Sequence, residues 1–73
     1  MFTIYATDTC QWCKAAKALL EERGYKYKYK VLKTAADVTE FQKEFPGQTS
    51  VPQIITPEGR KIGGYDALLQ LLG

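Results

Sequence analysis

Phe2-Thr3-Ile4-Tyr5-Ala6-Thr7-Asp8-Thr9-Cys10-Gln11-Trp12-Cys13 is the stretch whose reading decides the fold. Its first five residues mix apolar and β-branched side chains and read as a strand. Thr7-Asp8-Thr9 is a polar loop, and the pattern from Lys14 to Arg23 is helical. The only two cysteines of the chain therefore stand where a first strand passes into a first helix, with Thr9 or Cys10 itself as the cap. A helix N-terminus offers unpaired N–H groups and a partial charge of about +0.5. Both favour a thiolate, so Cys10 is expected to be the more exposed and more acidic thiol, the attacking one, and Cys13 the buried, resolving one. Helical residues i and i+3 lie about 5–6 Å apart, inside the ~4.4–6.8 Å that a disulfide spans. A thiol at the ordinary pKa of about 8.5 is only about 3% ionised at neutral pH, so this chemistry needs the lowering that a helix start supplies. The competing expectation is a passive disulfide or two inert core cysteines.

Working outward, Trp12, Ala16, Leu19 and Leu20 recur at i, i+4, i+7 and i+8 and form an apolar stripe. Lys17 and Glu21 are placed as an i,i+4 pair on the wet side, and Gly24 supplies a left-handed end to the helix. Tyr25-Lys26-Tyr27-Lys28-Tyr29-Lys30-Val31 alternates without a break, an edge strand with a tyrosine face on a helix and a lysine face in solvent. Thr34 with Asp37 is a capping-box start for a second helix whose stripe is Val38, Phe41 and Phe45, stopped by Pro46-Gly47. Pro52 to Thr56 reads as a third strand, Pro57-Glu58-Gly59 as a turn and Arg60-Lys61-Ile62 as a fourth strand. Gly63-Gly64 breaks the chain before a last helix, Asp66 to Leu72, with Leu68, Leu69 and Leu72 inward. The expected order is βαβαββα, an α/β fold in one domain over residues 1–73.

Composition narrows the chemistry. A net charge of +2, from ten basic and eight acidic side chains, is too small to point to nucleic acid or an anionic membrane. No run is long enough to span a membrane, and Met1 leads straight into a strand, so neither an anchor nor a signal peptide is expected. With no histidine, Cys/His nucleophile pairs and Cys2His2 zinc sites are excluded, and two thiols fall short of a structural zinc site, so no metal is expected. A cysteine pair that must cycle suits the reducing cytosol, so the expected location is cytoplasmic.

Three motifs coincide: Cys10-Gln11-Trp12-Cys13 after the first strand, Ser50-Val51-Pro52-Gln53 before the third, and Gly63-Gly64-Tyr65-Asp66 before the last helix. Together, over essentially the whole chain, they resemble glutaredoxins. The resemblance implies the thioredoxin/glutaredoxin fold, a four-stranded mixed sheet flanked by three helices, with Pro52 in a cis peptide bond facing the cysteines. It further implies catalytic Cys10 and Cys13 and a glutathione groove formed by Trp12, Val51, Pro52, Gly64, Tyr65 and Asp66. There Val51 offers its backbone to the peptide, Gly64 and the helix start meet its γ-glutamyl carboxylate, and Asp66 receives its ammonium. The residues alone also allow Trp12 in the core, Pro52 as a strand-start proline, Gly63-Gly64 as a plain turn and Asp66 as a helix cap. The chain departs from the family pattern at Gln11, where proline is common, at Thr7, where a cation is common, and at Ala67, where a second acid is common. Lys14 and Lys43 are the candidates to replace the missing cation.

The implied activity is that of a monomeric, glutathione-dependent thiol–disulfide oxidoreductase acting on protein disulfides and glutathione mixed disulfides, with ribonucleotide reductase among the implied partners. The alternative within the class is a glutaredoxin-like redoxin reduced by thioredoxin reductase. From another class, a small copper chaperone also places C-x-x-C between a strand and a helix, and thiolates suit Cu(I). That fold ends in a strand, however, and has no use for Pro52.

Overall fold

The computed structural model describes residues 1–73. Strand β1 (Phe2–Ala6) is followed by helix α1 (Gln11–Glu22), β2 (Tyr27–Val31), α2 (Ala35–Glu44), β3 (Gln53–Ile55), β4 (Lys61–Gly63) and α3 (Tyr65–Leu72). The four strands form one sheet in the order β2-β1-β3-β4. β1 and β2 are parallel, whereas β1 with β3 and β3 with β4 are antiparallel. This is the mixed sheet expected of a thioredoxin/glutaredoxin fold, with α3 following β4.

β1 is the central strand, and its alternation decides both faces. Phe2, Ile4 and Ala6 enter a core of nine buried residues with Cys13, Ala16, Leu19 and Leu20 of α1, Ile54 of β3 and Leu68 of α3. Tyr5 points the other way and forms a separate cluster with Phe41 of α2 and Phe45, the residue that ends that helix. Lys30 and Lys61, from the two outer strands, stand over the Tyr5 and Phe45 rings, each 5.3 Å from the centroid. The same lysines pair with Glu40 and Glu44 of α2 at 3.4 and 3.7 Å.

Helix ends follow local chemistry. Gly24, at φ +77°, takes the left-handed position after α1. At α2 the capping box is complete: Thr34 Oγ1 accepts from the Asp37 N–H at 3.1 Å, and Asp37 Oδ2 accepts from the N–H groups of Lys33 and Thr34 at 3.1 and 3.2 Å. Those backbone donors, Lys33 first, hold the Asp37 carboxyl below its ordinary pKa.

Several sequence expectations are corrected. Lys17 and Glu21 do not pair; the Tyr27 hydroxyl donates to Glu21 at 2.6 Å, and Lys17 lies 4.9 Å from the Tyr29 ring centroid. The tyrosine face of β2 thus takes up both of these α1 side chains. Tyr25 lies outside β2 and packs edge-on against Phe2. Val38 is 41% exposed, because α2 meets the sheet only through its C-terminal turns, where Phe41 and Phe45 reach Tyr5. Leu69 is also 41% exposed, since the short α3 turns Leu68 inward and presents the next residue to solvent. β4 begins one residue later than expected: Arg60 closes the hairpin turn by bonding Thr56, and Ile62 bulges between the Ile55–Lys61 and Ile54–Gly63 pairs. Gly63, at φ +102°, extends the strand in a conformation suited to glycine.

Candidate active site

Cys10 is the N-cap of α1, with extended backbone (φ −83°, ψ 108°). Its Sγ accepts the Cys13 N–H at 3.1 Å, one of the donors that every helix start leaves free. The two cysteines are joined as a disulfide with their Cα atoms 5.2 Å apart, the separation their spacing sets. Cys13 is fully buried in the main core, whereas Cys10 is half-buried at its edge. The less buried cysteine is thus the one whose sulfur meets the helix N–H.

A second segment completes the site from across the sheet. The Val51–Pro52 peptide is cis, as the resemblance implied, and the Val51 carbonyl oxygen lies 3.7 Å from Cys10 Sγ. Gln53 holds this loop: its buried side-chain amide donates to the Ser50 carbonyl at 3.0 Å and the Ser50 hydroxyl at 3.5 Å. Gln53 is a site residue that sequence motifs alone do not single out. The only signal was a polar side chain beginning an otherwise apolar strand, directly after Pro52.

The third segment is the start of α3. Gly64 is its N-cap without a side-chain cap, so Asp66 stands in the first turn and is not the cap. Trp12, Pro52, Gly64, Tyr65, Asp66 and Ala67 line an open groove of about 510 Å³. Trp12 is 62% exposed and leans on Tyr65, with ring centroids 5.4 Å apart and planes at 36°. It leaves the apolar stripe of α1 to stand at the groove. The structure therefore brings five of the expected residues together there, while Val51 sits at the disulfide through its carbonyl and packs between the two cores. Thr7 contributes its carbonyl to the Cys10 N–H at 3.3 Å, and neither Thr7, Lys14 nor Lys43 lines the groove. Asp66 is the one charged side chain lining it.

A buried and a half-buried cysteine at a strand-to-helix junction, faced by a cis-proline loop, define the thioredoxin-fold class of redox proteins. The glutaredoxin family model matches residues 2–60. Glutaredoxin 3 of Escherichia coli is 37% identical over 68 residues, covering 93% of this chain and 81% of its own length. A glutaredoxin of Ricinus communis is 36% identical over 67 residues, and the chain spans 88% of itself and 65% of that protein. The chain belongs to the glutaredoxin family. Among solved structures, wheat glutaredoxin superposes with a TM-score of 0.79 at 31% identity, covering 97% of this chain and 68% of that one. The buckwheat glutaredoxin–glutathione complex gives 0.78 at 25%, covering 94% and 64%. The fold is shared as well by NrdH-redoxin of Escherichia coli, at a TM-score of 0.73, 24% identity and coverages of 96% and 92%. Thiol–disulfide redox chemistry is the function of this family.

Proposed function

We propose that this chain is a glutathione-dependent thiol–disulfide oxidoreductase that reduces protein disulfides and glutathione mixed disulfides. The observation that carries this reading is the half-buried Cys10, whose sulfur is held by the Cys13 N–H beside the Val51 carbonyl. In the dithiol state the Cys10 thiolate attacks one sulfur of the substrate disulfide. That S–S bond breaks, the departing sulfur takes up a proton, and Cys10 is left in a mixed disulfide. Cys13 then loses its proton and attacks Cys10 Sγ, releasing the second substrate thiol and closing the Cys10–Cys13 bond present in the structure. Two glutathione thiols return the pair to the dithiol and leave as glutathione disulfide.

The groove supports glutathione as the reductant, as does the buckwheat relative solved in complex with it. Asp66 receives the ammonium of the peptide, Gly64 and the first N–H groups of α3 meet the adjacent carboxylate, and Trp12 with Tyr65 forms the wall. Val51 offers its backbone and Pro52 the floor. We place this work in the cytosol, carried out by a monomer, with ribonucleotide reductase among its disulfide-bearing clients.

One observation favours a second reading, reduction by thioredoxin reductase. No basic side chain lines the groove to hold the other glutathione carboxylate, and NrdH-redoxin, which shares the fold, is described as having a thioredoxin-like activity profile. A coupled assay decides between them. With glutathione and glutathione reductase as sole electron source, turnover of a protein disulfide is expected. Turnover only with thioredoxin reductase would replace the glutathione reading.

A further inference from the structure

We infer that the groove beside Cys10 takes a basic side chain, arginine before lysine, from the residue flanking the disulfide cysteine of a protein substrate. The inference rests on the redox reading of Cys10 and names its substrate class.

The groove is lined by two aromatic rings, a carboxylate and no cation. Asp66 is exposed and belongs to neither ion pair of the molecule, which join Lys30 to Glu40 and Lys61 to Glu44 at the α2 face. The rings tell the same story independently. Tyr29, Tyr5 and Phe45 each carry a lysine ammonium, 4.9, 5.3 and 5.3 Å from the centroid. Trp12, the only tryptophan, is the best cation-binding ring in the chain and carries none, although it is 62% exposed. An exposed indole next to an unpaired carboxylate is complementary to a guanidinium, which stacks by its plane and donates by its edge.

Position makes the complementarity useful. Trp12 lies between the two cysteines in sequence, and Pro52 connects the groove to Val51, whose carbonyl touches Cys10 Sγ. A peptide whose cysteine reaches Cys10 therefore passes its neighbouring side chain over Trp12 and Asp66. An acidic neighbour meets a like charge and the negative face of a ring. The overall charge of +2 acts in the opposite direction, so a preference for basic substrates must come from the groove.

The test uses two disulfide-closed peptides, identical except for Arg or Glu beside the attacked cysteine. Each is mixed with the pre-reduced protein in a single turnover, so that the electron source does not enter. The Arg peptide is expected to react about tenfold faster at low salt, equivalent to about 1.4 kcal/mol, with the ratio shrinking at ~1 M salt. Asp66→Asn and Trp12→Leu should each bring the ratio below about threefold, whereas Glu58→Gln, the same charge change in the β3–β4 turn, should keep it. Equal rates, or a faster Glu peptide, would overturn the inference and leave the redox reading standing. If neither peptide is reduced, the redox reading fails, and binding decides the inference alone. In that arm, redox-inert peptides with serine for cysteine are titrated against the Trp12 emission. A shift with the Arg peptide at concentrations where the Glu peptide gives none supports the inference; matching responses, or none to either, refute it.

Discussion

The two faces of the sheet are built in different ways. On one, small and branched side chains (Ile4, Ala6, Ala16, Leu20, Ile54, Leu68) close around Cys13 with no exposure to solvent. On the other, three aromatic rings meet edge-on or tilted, centroids 5.2–5.6 Å apart, and two lysine–glutamate pairs bridge the rim. The first face must hold a sulfur at a defined place, which tight packing of rigid side chains does. The second has only to attach one helix, and large rings supply area without small-scale precision. Chemistry and stability are thus divided between faces that share β1.

The strongest way to break that division is at the sulfurs. Cys10→Ser is expected to abolish disulfide reduction altogether, whereas Cys13→Ser should lose the dithiol route yet keep part of the activity on glutathione mixed disulfides. Alkylation of the reduced protein at neutral pH should label Cys10 first; faster labelling of Cys13 would reverse the roles. Next come the two cores. Leu68→Ala and Phe41→Ala are each expected to cost about 3 kcal/mol of stability in urea titrations. Only the Leu68 variant should also lose kcat/KM in its folded fraction, because Leu68 roots the helix that carries Gly64 to Asp66. Equal activity losses would mean that the faces are coupled.

Smaller changes sharpen the same contrast. Thr7→Lys should lower the apparent KM for a glutathione mixed disulfide by about tenfold, since a charge-assisted hydrogen bond contributes roughly 1.5–3 kcal/mol, and the gain should fade with salt. No response would count against glutathione in the groove. The two adjacent glycines separate fold from site. Gly63→Ala meets the left-handed φ of +102° and should destabilise by about 1 kcal/mol. Gly64 has ordinary extended backbone, and an added methyl would sit 3.6 Å from the Pro52 carbonyl, so Gly64→Ala should fold normally and raise the KM for glutathione. Thermal melts and steady-state kinetics on the pair would show whether the effects divide this way.

The smallest effect belongs to the α2 face and to acid. The Asp37 carboxyl is held below its ordinary pKa, so its stabilisation is fully present above the unfolded value of about 3.9 and is lost as pH falls through the folded one. Protection of the α2 amides, relative to their intrinsic exchange at each pH, should fall below pH ~4, and Asp37→Asn should weaken that dependence. An unaltered pH profile in the variant would show that other carboxylates govern it.

What could be read from the chain depended on how far apart the partners lie. The Thr34–Asp37 box, the Gly24 turn and a cap at Thr9 or Cys10 were legible because each is made within three or four residues, where backbone geometry leaves few choices, and the structure gave the cap to Cys10. Val38 and Leu69 were misplaced because periodicity marks an apolar face but not where a short helix runs off its sheet. The Lys17–Glu21 pair failed for a related reason. An i,i+4 ion pair is worth only a few tenths of a kcal/mol, and the tyrosines of β2, invisible to a helix-only reading, offered better partners.

By itself the sequence determined the spacing that lets Cys10 and Cys13 close and the order of the elements, both carried by local backbone. Only the tertiary structure decided that Val51, 41 residues on, would lie against Cys10, that Gln53 would hold its loop, and that Trp12 would lean on Tyr65 instead of entering the core. Those placements follow from the strand order β2-β1-β3-β4, which brings α1, the proline loop and α3 to one end of the sheet. A spacing is carried by bonded neighbours. A groove exists only where segments that never meet along the chain are packed against the same core.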